Sequence, residues 1–176
     1  MTRRLHVGVA IGLFGLTANA FAALSVPIHM ASEKGNGPHI GSITLSESKY
    51  GLVLTPDLQA LPPGMHGFHV HEKGDCSATQ AEGKPVLAGA AGSHYDPDKT
   101  KKHGSPWDSN GHRGDLPALY VDASGNANMP VLAPRLTLAE VKGRSLMIHA
   151  GSDNHSDHPA PLGGGAGRIA CGVIPD

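Results

Sequence analysis

The densest chemistry in the chain lies in His66-Gly67-Phe68-His69-Val70-His71. On an extended strand, side chains alternate between two faces. His69 and His71 therefore point the same way, about 6–7 Å apart along the backbone, and Phe68 and Val70 point the other way. Two imidazoles at that spacing reach one metal ion, while the opposite face anchors the strand in a core. His-x-His alone fits two ordinary strand histidines equally well, so the rest of the chain decides. It holds 12 histidines, more than packing calls for, and histidine is the commonest metal ligand. Four further ligand types, His94, His103, His112 and Asp115, fall within residues 76–116, a stretch rich in Gly, Pro, Ser and Lys with no periodic apolar pattern. A loop that long in a compact domain is functional or disordered. Its ligand content predicts that metal binding orders it.

These side chains need a framework, and composition points to strands. The chain of 176 residues suits one domain, and its 24 Gly and 14 Pro argue against a helical bundle. Aromatic residues are 4%, so Val, Ile, Leu and Ala must fill the core. Strand-like runs fall at 24–30, 40–45, from 52, at 66–71, 118–121, 127–131, 146–149 and 168–173. Turns are expected at 48–51 and 122–126, a break at Pro62-Pro63-Gly64, and at most one short helical turn at 138–141. Short strands joined by turns predict an all-β antiparallel sandwich or barrel.

Arg3 and Arg4, an apolar run over 5–16 and Ala20-Phe21-Ala22 predict a secretory signal peptide over 1–22, leaving 23–176 as the mature domain. The apolar run is short for a membrane span, so no stable membrane association is expected. Cleavage removes Arg3 and Arg4 and takes the net charge from −1 to −3, with no basic run that would bind nucleic acid. In an oxidising compartment Cys76 and Cys171 pair as a disulfide, worth about 4–5 kcal/mol in the chain-entropy model. Two free or metal-bound thiols are the alternative. Arg168 stands three residues before Cys171, after a second irregular stretch over 151–167.

At this level of detail the chain resembles the exported bacterial copper–zinc superoxide dismutases. The matching segments are His66-Gly67-Phe68-His69-Val70-His71, Gly92-Ser93-His94-Tyr95-Asp96-Pro97, Lys102-His103-Gly104, Gly111-His112-Arg113-Gly114-Asp115-Leu116-Pro117, Met147-Ile148-His149-Ala150-Gly151 and Gly167-Arg168-Ile169-Ala170-Cys171-Gly172-Val173-Ile174. They run in order through the mature chain. The resemblance implies an eight-stranded Greek-key barrel with long metal-binding and electrostatic loops. It implies one copper ion on His69, His71, His94 and His149, and one zinc ion on His94, His103, His112 and Asp115, with His94 shared. Four imidazoles suit Cu(II), and a closed nitrogen and carboxylate set suits structural zinc.

The reaction implied is dismutation of superoxide to dioxygen and hydrogen peroxide, with copper cycling between Cu(II) and Cu(I). His94 would act as bridge and proton carrier, and Arg168 would attract and orient the anion. Asp153, with Asp157 as a rival, would hydrogen-bond metal-ligating histidines. A periplasmic location follows from the same resemblance, which accommodates a homodimer as well as a monomer. A periplasmic copper and zinc buffering protein without turnover is the alternative. It should lack a copper ligand, the bridge or the arginine, and all are present. His66 is expected to make a buried structural hydrogen bond, His29 and His39 to lie at the surface, and His155 and His158 to bind no dedicated ion. Trp107 would serve an interface or pack its loop. Ser93 and Arg113 stand where the family more often has glycine and leucine.

Overall fold

The computed structural model describes residues 23–176; the signal peptide expected over 1–22 lies outside them. The strands are β1 (Ala23–Ser32), β2 (Gly35–Ser48), β3 (Gly51–Leu58), β4 (Gly64–His66), β5 (Phe68–His71), β6 (Thr79–Ala81), β7 (Lys84–Val86), β8 (Leu119–Val121), β9 (Val131–Ala133), β10 (Ser145–His149) and β11 (Arg168–Val173). A curled antiparallel sheet runs β5-β10-β11-β1-β2-β3-β9, and β4 pairs with β8. Read as one strand interrupted at Gly67, β4 and β5 bring the barrel strands to the expected eight. The β6/β7 hairpin is additional. Pairing of β5 with β10 and of β3 with β9, neighbours in space but not in sequence, fits the Greek-key reading.

Alternation builds the core as the sequence implies. Val26 and Ile28, Ile43 and Leu45, Leu52 and Leu54, Phe68 and Val70, and Leu146 and Ile148 all point inward and share one cluster. Each such side chain contributes about 1.5–3 kcal/mol on full burial. Outside the barrel wall, Cys76, Ala88, Ala91, Met147 and Cys171 form a second, smaller cluster. At its centre is the Cys76–Cys171 disulfide. It fastens the start of the long loop to β11. Cys171→Ser is expected to lower the unfolding free energy by about 2–5 kcal/mol, read from denaturant midpoints. An unchanged midpoint would show that the bond constrains nothing.

Two expectations need correction. The strand placed at 127–131 begins at Val131, and Ala127 makes only an isolated bridge to Leu58. Pro130 has no N–H to give a ladder, which moves the pairing downstream. The stretch 76–116 is not wholly irregular either, since β6 and β7 form a hairpin there. Its turn residues Glu82 and Gly83 have φ of 51° and 75°, as a type I′ hairpin turn requires. All of β6 is exposed, so no apolar alternation announced it. Leu138–Val141 is one short helix, α1, opened by a reciprocal Thr137–Glu140 capping box. Trp107 is 70% exposed and so does not pack its loop.

Candidate metal centre

Strand β5 lies at one end of the curled sheet, and an open strand edge needs cover. The long loop supplies it. Val70 N–H donates to Gly114 O at 2.9 Å, Tyr95 N–H to Val70 O at 2.8 Å and Glu72 N–H to Ser93 O at 3.0 Å. Isolated bridges join His71 to His94 and His69 to Asp115. The loop thereby lays His94 and Asp115 directly beside the His69/His71 face. Gly114 permits this approach, because a Cβ there would collide with Val70 O. His149 ends β10, after a register shift following Ile148, and pairs with Arg168 on β11. Such a shift re-aims a side chain at a sheet rim.

Four buried imidazoles converge, His69, His71, His94 and His149, each offering one nitrogen within 4.8 Å of the others. Their remaining nitrogens are fixed. His69 Nε2–H donates to Asp153 Oδ2 at 2.8 Å, His71 Nδ1–H to Gly92 O at 2.9 Å, His94 Nδ1–H to Asp115 Oδ1 at 2.9 Å and His149 Nδ1–H to Ala166 O at 3.2 Å. His69 Nδ1 and the Nε2 atoms of His71, His94 and His149 are left buried without a hydrogen-bond partner. Buried polar atoms are normally satisfied, so four unsatisfied lone pairs turned toward one another fit a cation, and an all-imidazole set suits copper.

A second cluster lies on the far side of His94. Asp115 Oδ1 sits 2.9 Å from His94 Nδ1, 3.0 Å from His103 Nδ1 and 3.4 Å from His112 Nδ1. Both His103 Nδ1 and His112 Nδ1 lack a hydrogen-bond partner, so this nitrogen and carboxylate set fits tetrahedral zinc. The tightest grouping around Asp115 contains His69 rather than His112, together with His94 and His103. His69 has one unengaged nitrogen, however, and can serve only one ion. Asp153 connects the clusters, accepting from His69 Nε2 through Oδ2 and from His103 Nε2 through Oδ1, both at 2.8 Å. Asp157 instead accepts the backbone N–H of His103. Gly163, with φ of 71°, lets the second irregular stretch close over Asp153, since a Cβ there would collide with Asp153 Oδ1.

The charges follow from these contacts. Burial alone would raise the Asp115 carboxyl; the imidazoles of His103, His112 and His94 gathered around it outweigh that and hold the group well below the usual carboxylate range. Asp153 is likewise pushed up by burial but held low by His103 and His69. Burial lowers His69, His71 and His149, the last to about 4. His103 is pulled down by burial but raised to about 9 by the two carboxylates.

These shifts set the pH dependence of the metal-free protein. An unfolded histidine titrates near about 6.5. Between pH 6.5 and 4 the unfolded chain binds more protons at His149, so that stability falls as pH drops. Between 6.5 and 9 the folded chain binds more at His103, a contribution lost as pH rises. Thermal unfolding of the metal-free protein should therefore be highest near pH 6.5, whereas a melting temperature that climbs from pH 6.5 to 4 would contradict this.

Arg168 is half-buried beside the first cluster and donates to Ala88 O and Gly92 O, each at 2.6 Å. Gly92 O also accepts from His71, so one carbonyl fixes both the arginine and an imidazole. Ala88 lies in the disulfide cluster. Arg135, which no motif marks, donates to the carbonyls of Pro106, Gly111 and His112 and pins the second cluster's loop. Arg113, by contrast, ties that loop to Asp98 and to Glu140 on α1. His66 stays outside both clusters, its ring nitrogens each 2.7 Å from a carbonyl, His149 O and Pro62 O.

Comparison with known proteins adds independent support. Residues 39–174 match the family model for copper/zinc superoxide dismutase. The chain is 56% identical over 161 residues to a Cu-Zn superoxide dismutase of Photobacterium leiognathi, covering 92% of each. Among solved structures, the Cu/Zn superoxide dismutase from Brucella abortus aligns with a TM-score of 0.85 at 47% identity, covering 87% of this chain and 99% of that one. The monomeric copper, zinc superoxide dismutase from Salmonella enterica aligns at 0.78 and 50% identity, with the same coverage. With such identity spanning nearly the whole described fold, the chain belongs to the copper/zinc superoxide dismutase family.

Proposed function

We propose that the protein dismutates superoxide, converting two superoxide anions and two protons to dioxygen and hydrogen peroxide. His69, His71, His94 and His149 would hold one copper ion, and His94, His103, His112 and Asp115 one zinc ion. The observation that carries this reading is the facing of four buried, unpartnered imidazole nitrogens, with the other nitrogen of one of those rings in the second cluster. Copper, when bound, supplies one-electron chemistry between Cu(II) and Cu(I). His94 Nε2 holds a proton between the two half-reactions and delivers it to the second superoxide. His103, His112 and Asp115 keep that ring aligned throughout. Asp153 fixes His69 and His103 together.

Arg168 carries a permanent charge and offers a fixed donor fork to a small anion. Arg168→Ala is expected to lower kcat/KM by about tenfold or more and to flatten its ionic-strength dependence, with copper content unchanged. An unaltered salt profile would remove the arginine from substrate capture.

The Cys76–Cys171 disulfide supports an oxidising compartment. Together with the leader over 1–22, it supports export to the periplasm. Among the described residues, no helix is long and apolar enough to cross a membrane. The competing function, metal buffering without turnover, is separated by one assay: the metal-loaded protein must accelerate superoxide decay catalytically, and decay limited to one equivalent per copper would favour buffering.

A further inference from the structure

We propose that His29 and His39 form a separate metal site, an exposed two-imidazole seat for a single divalent cation, with Cu(II) preferred. The residues are cross-strand partners on β1 and β2, and a register shift flanks their pair on each side. The ladder is thus interrupted above and below one pair of facing histidines. Their ring centroids lie 5.2 Å apart with an interplanar angle of 63°. Two imidazoles sharing one ion through bonds of about 2.0–2.1 Å place their centroids about 5 Å apart. Pairs within the four-imidazole cluster give the internal comparison. The six pairs there run from 3.9 to 6.4 Å, and the 5.2 Å of His29–His39 falls inside that span.

The seat is built rather than incidental. His29 is half-buried and pairs on its other side with Cys171, so it sits mid-sheet on a strand tied by the disulfide. His39 is exposed, and its neighbours Pro38 and buried Ile40 restrict the backbone that carries it. One row of partners runs His39, His29, Cys171, Met147, His69 across four pairings. Directly paired residues share a sheet face, so the dyad lies on the outer face that also bears His69. His29 and His69 are three strand spacings apart, about 14 Å, too far to share an ion. Borderline imidazole donors bind Cu(II) most tightly among first-row divalent ions, and solvent completes the coordination.

The test is titration of the protein, already loaded with copper and zinc, with further Cu(II), followed by calorimetry and by electron paramagnetic resonance of the added ion. The expected result is one extra Cu(II) per chain with nitrogen hyperfine structure. Binding should weaken by about tenfold or more in His29→Ala and in His39→Ala. Dismutation and the original metal content should not change in those variants. A His155→Ala/His158→Ala variant should keep the extra site. Extra Cu(II) retained without His29 and His39, lost with His155 and His158, or absent from the parent protein would each overturn the proposal.

Discussion

Replacing His94 by alanine is expected to cut dismutation by at least about a hundredfold and to weaken both metals together. The two nitrogens of His94 serve one cluster each. Its Nε2 faces His69, His71 and His149, while its Nδ1 bonds Asp115. It also stacks on His69, with centroids 3.9 Å apart. Losing it removes a donor from each cluster, the ring that aligns them and the atom assigned to carry the proton. Loss of His112 touches only the second cluster, so His112→Ala serves as the comparison. Copper and zinc affinities measured by competition with chelators, beside the rate, decide the matter. Activity retained in His94→Ala, or loss of one metal alone, would break the shared-ring account.

The second large effect is expected at Asp153. It accepts from His69 and His103 with separate oxygens at 2.8 Å each. It therefore fixes which nitrogen of each ring faces inward, and raises the donor strength of both. Asp153→Asn preserves shape but replaces one acceptor with an N–H donor that faces another donor. Copper and zinc affinities should each fall by about 10–100-fold. Asp157→Asn is the control, since Asp157 takes only the backbone N–H groups of His103 and Leu162. Equal effects in the two variants would mean that loop closure, and not ring orientation, is what matters.

Much of this centre was legible in the sequence because its signals are local. Alternation on 68–71 separates His69 and His71 from Phe68 and Val70 without any tertiary information, and the structure keeps that division. The loop candidates His94, His103, His112 and Asp115 stood out because chemistry-bearing side chains occupied a stretch with no core of its own. What escaped depends on distant pairings. Arg135 reaches carbonyls more than 20 residues away, and nothing in its own segment marks it. The β6/β7 hairpin lacks apolar alternation because all of β6 is exposed. The shift of the β9 start to Val131 follows from Pro130, whose missing N–H ends the ladder that the alternation over 127–131 would otherwise extend. Asp153 is already the preferred carboxylate in the sequence, four residues after His149; folding adds that it meets two imidazoles while its rival Asp157 meets backbone.

The most direct test of the central claim is stopped-flow decay of superoxide by the purified protein, with copper and zinc quantified on the same sample. The account predicts rapid catalytic turnover at about one copper and one zinc per chain, abolished in His94→Ala. Full loading with both metals and no turnover would contradict it and leave a metal-binding role as the better description.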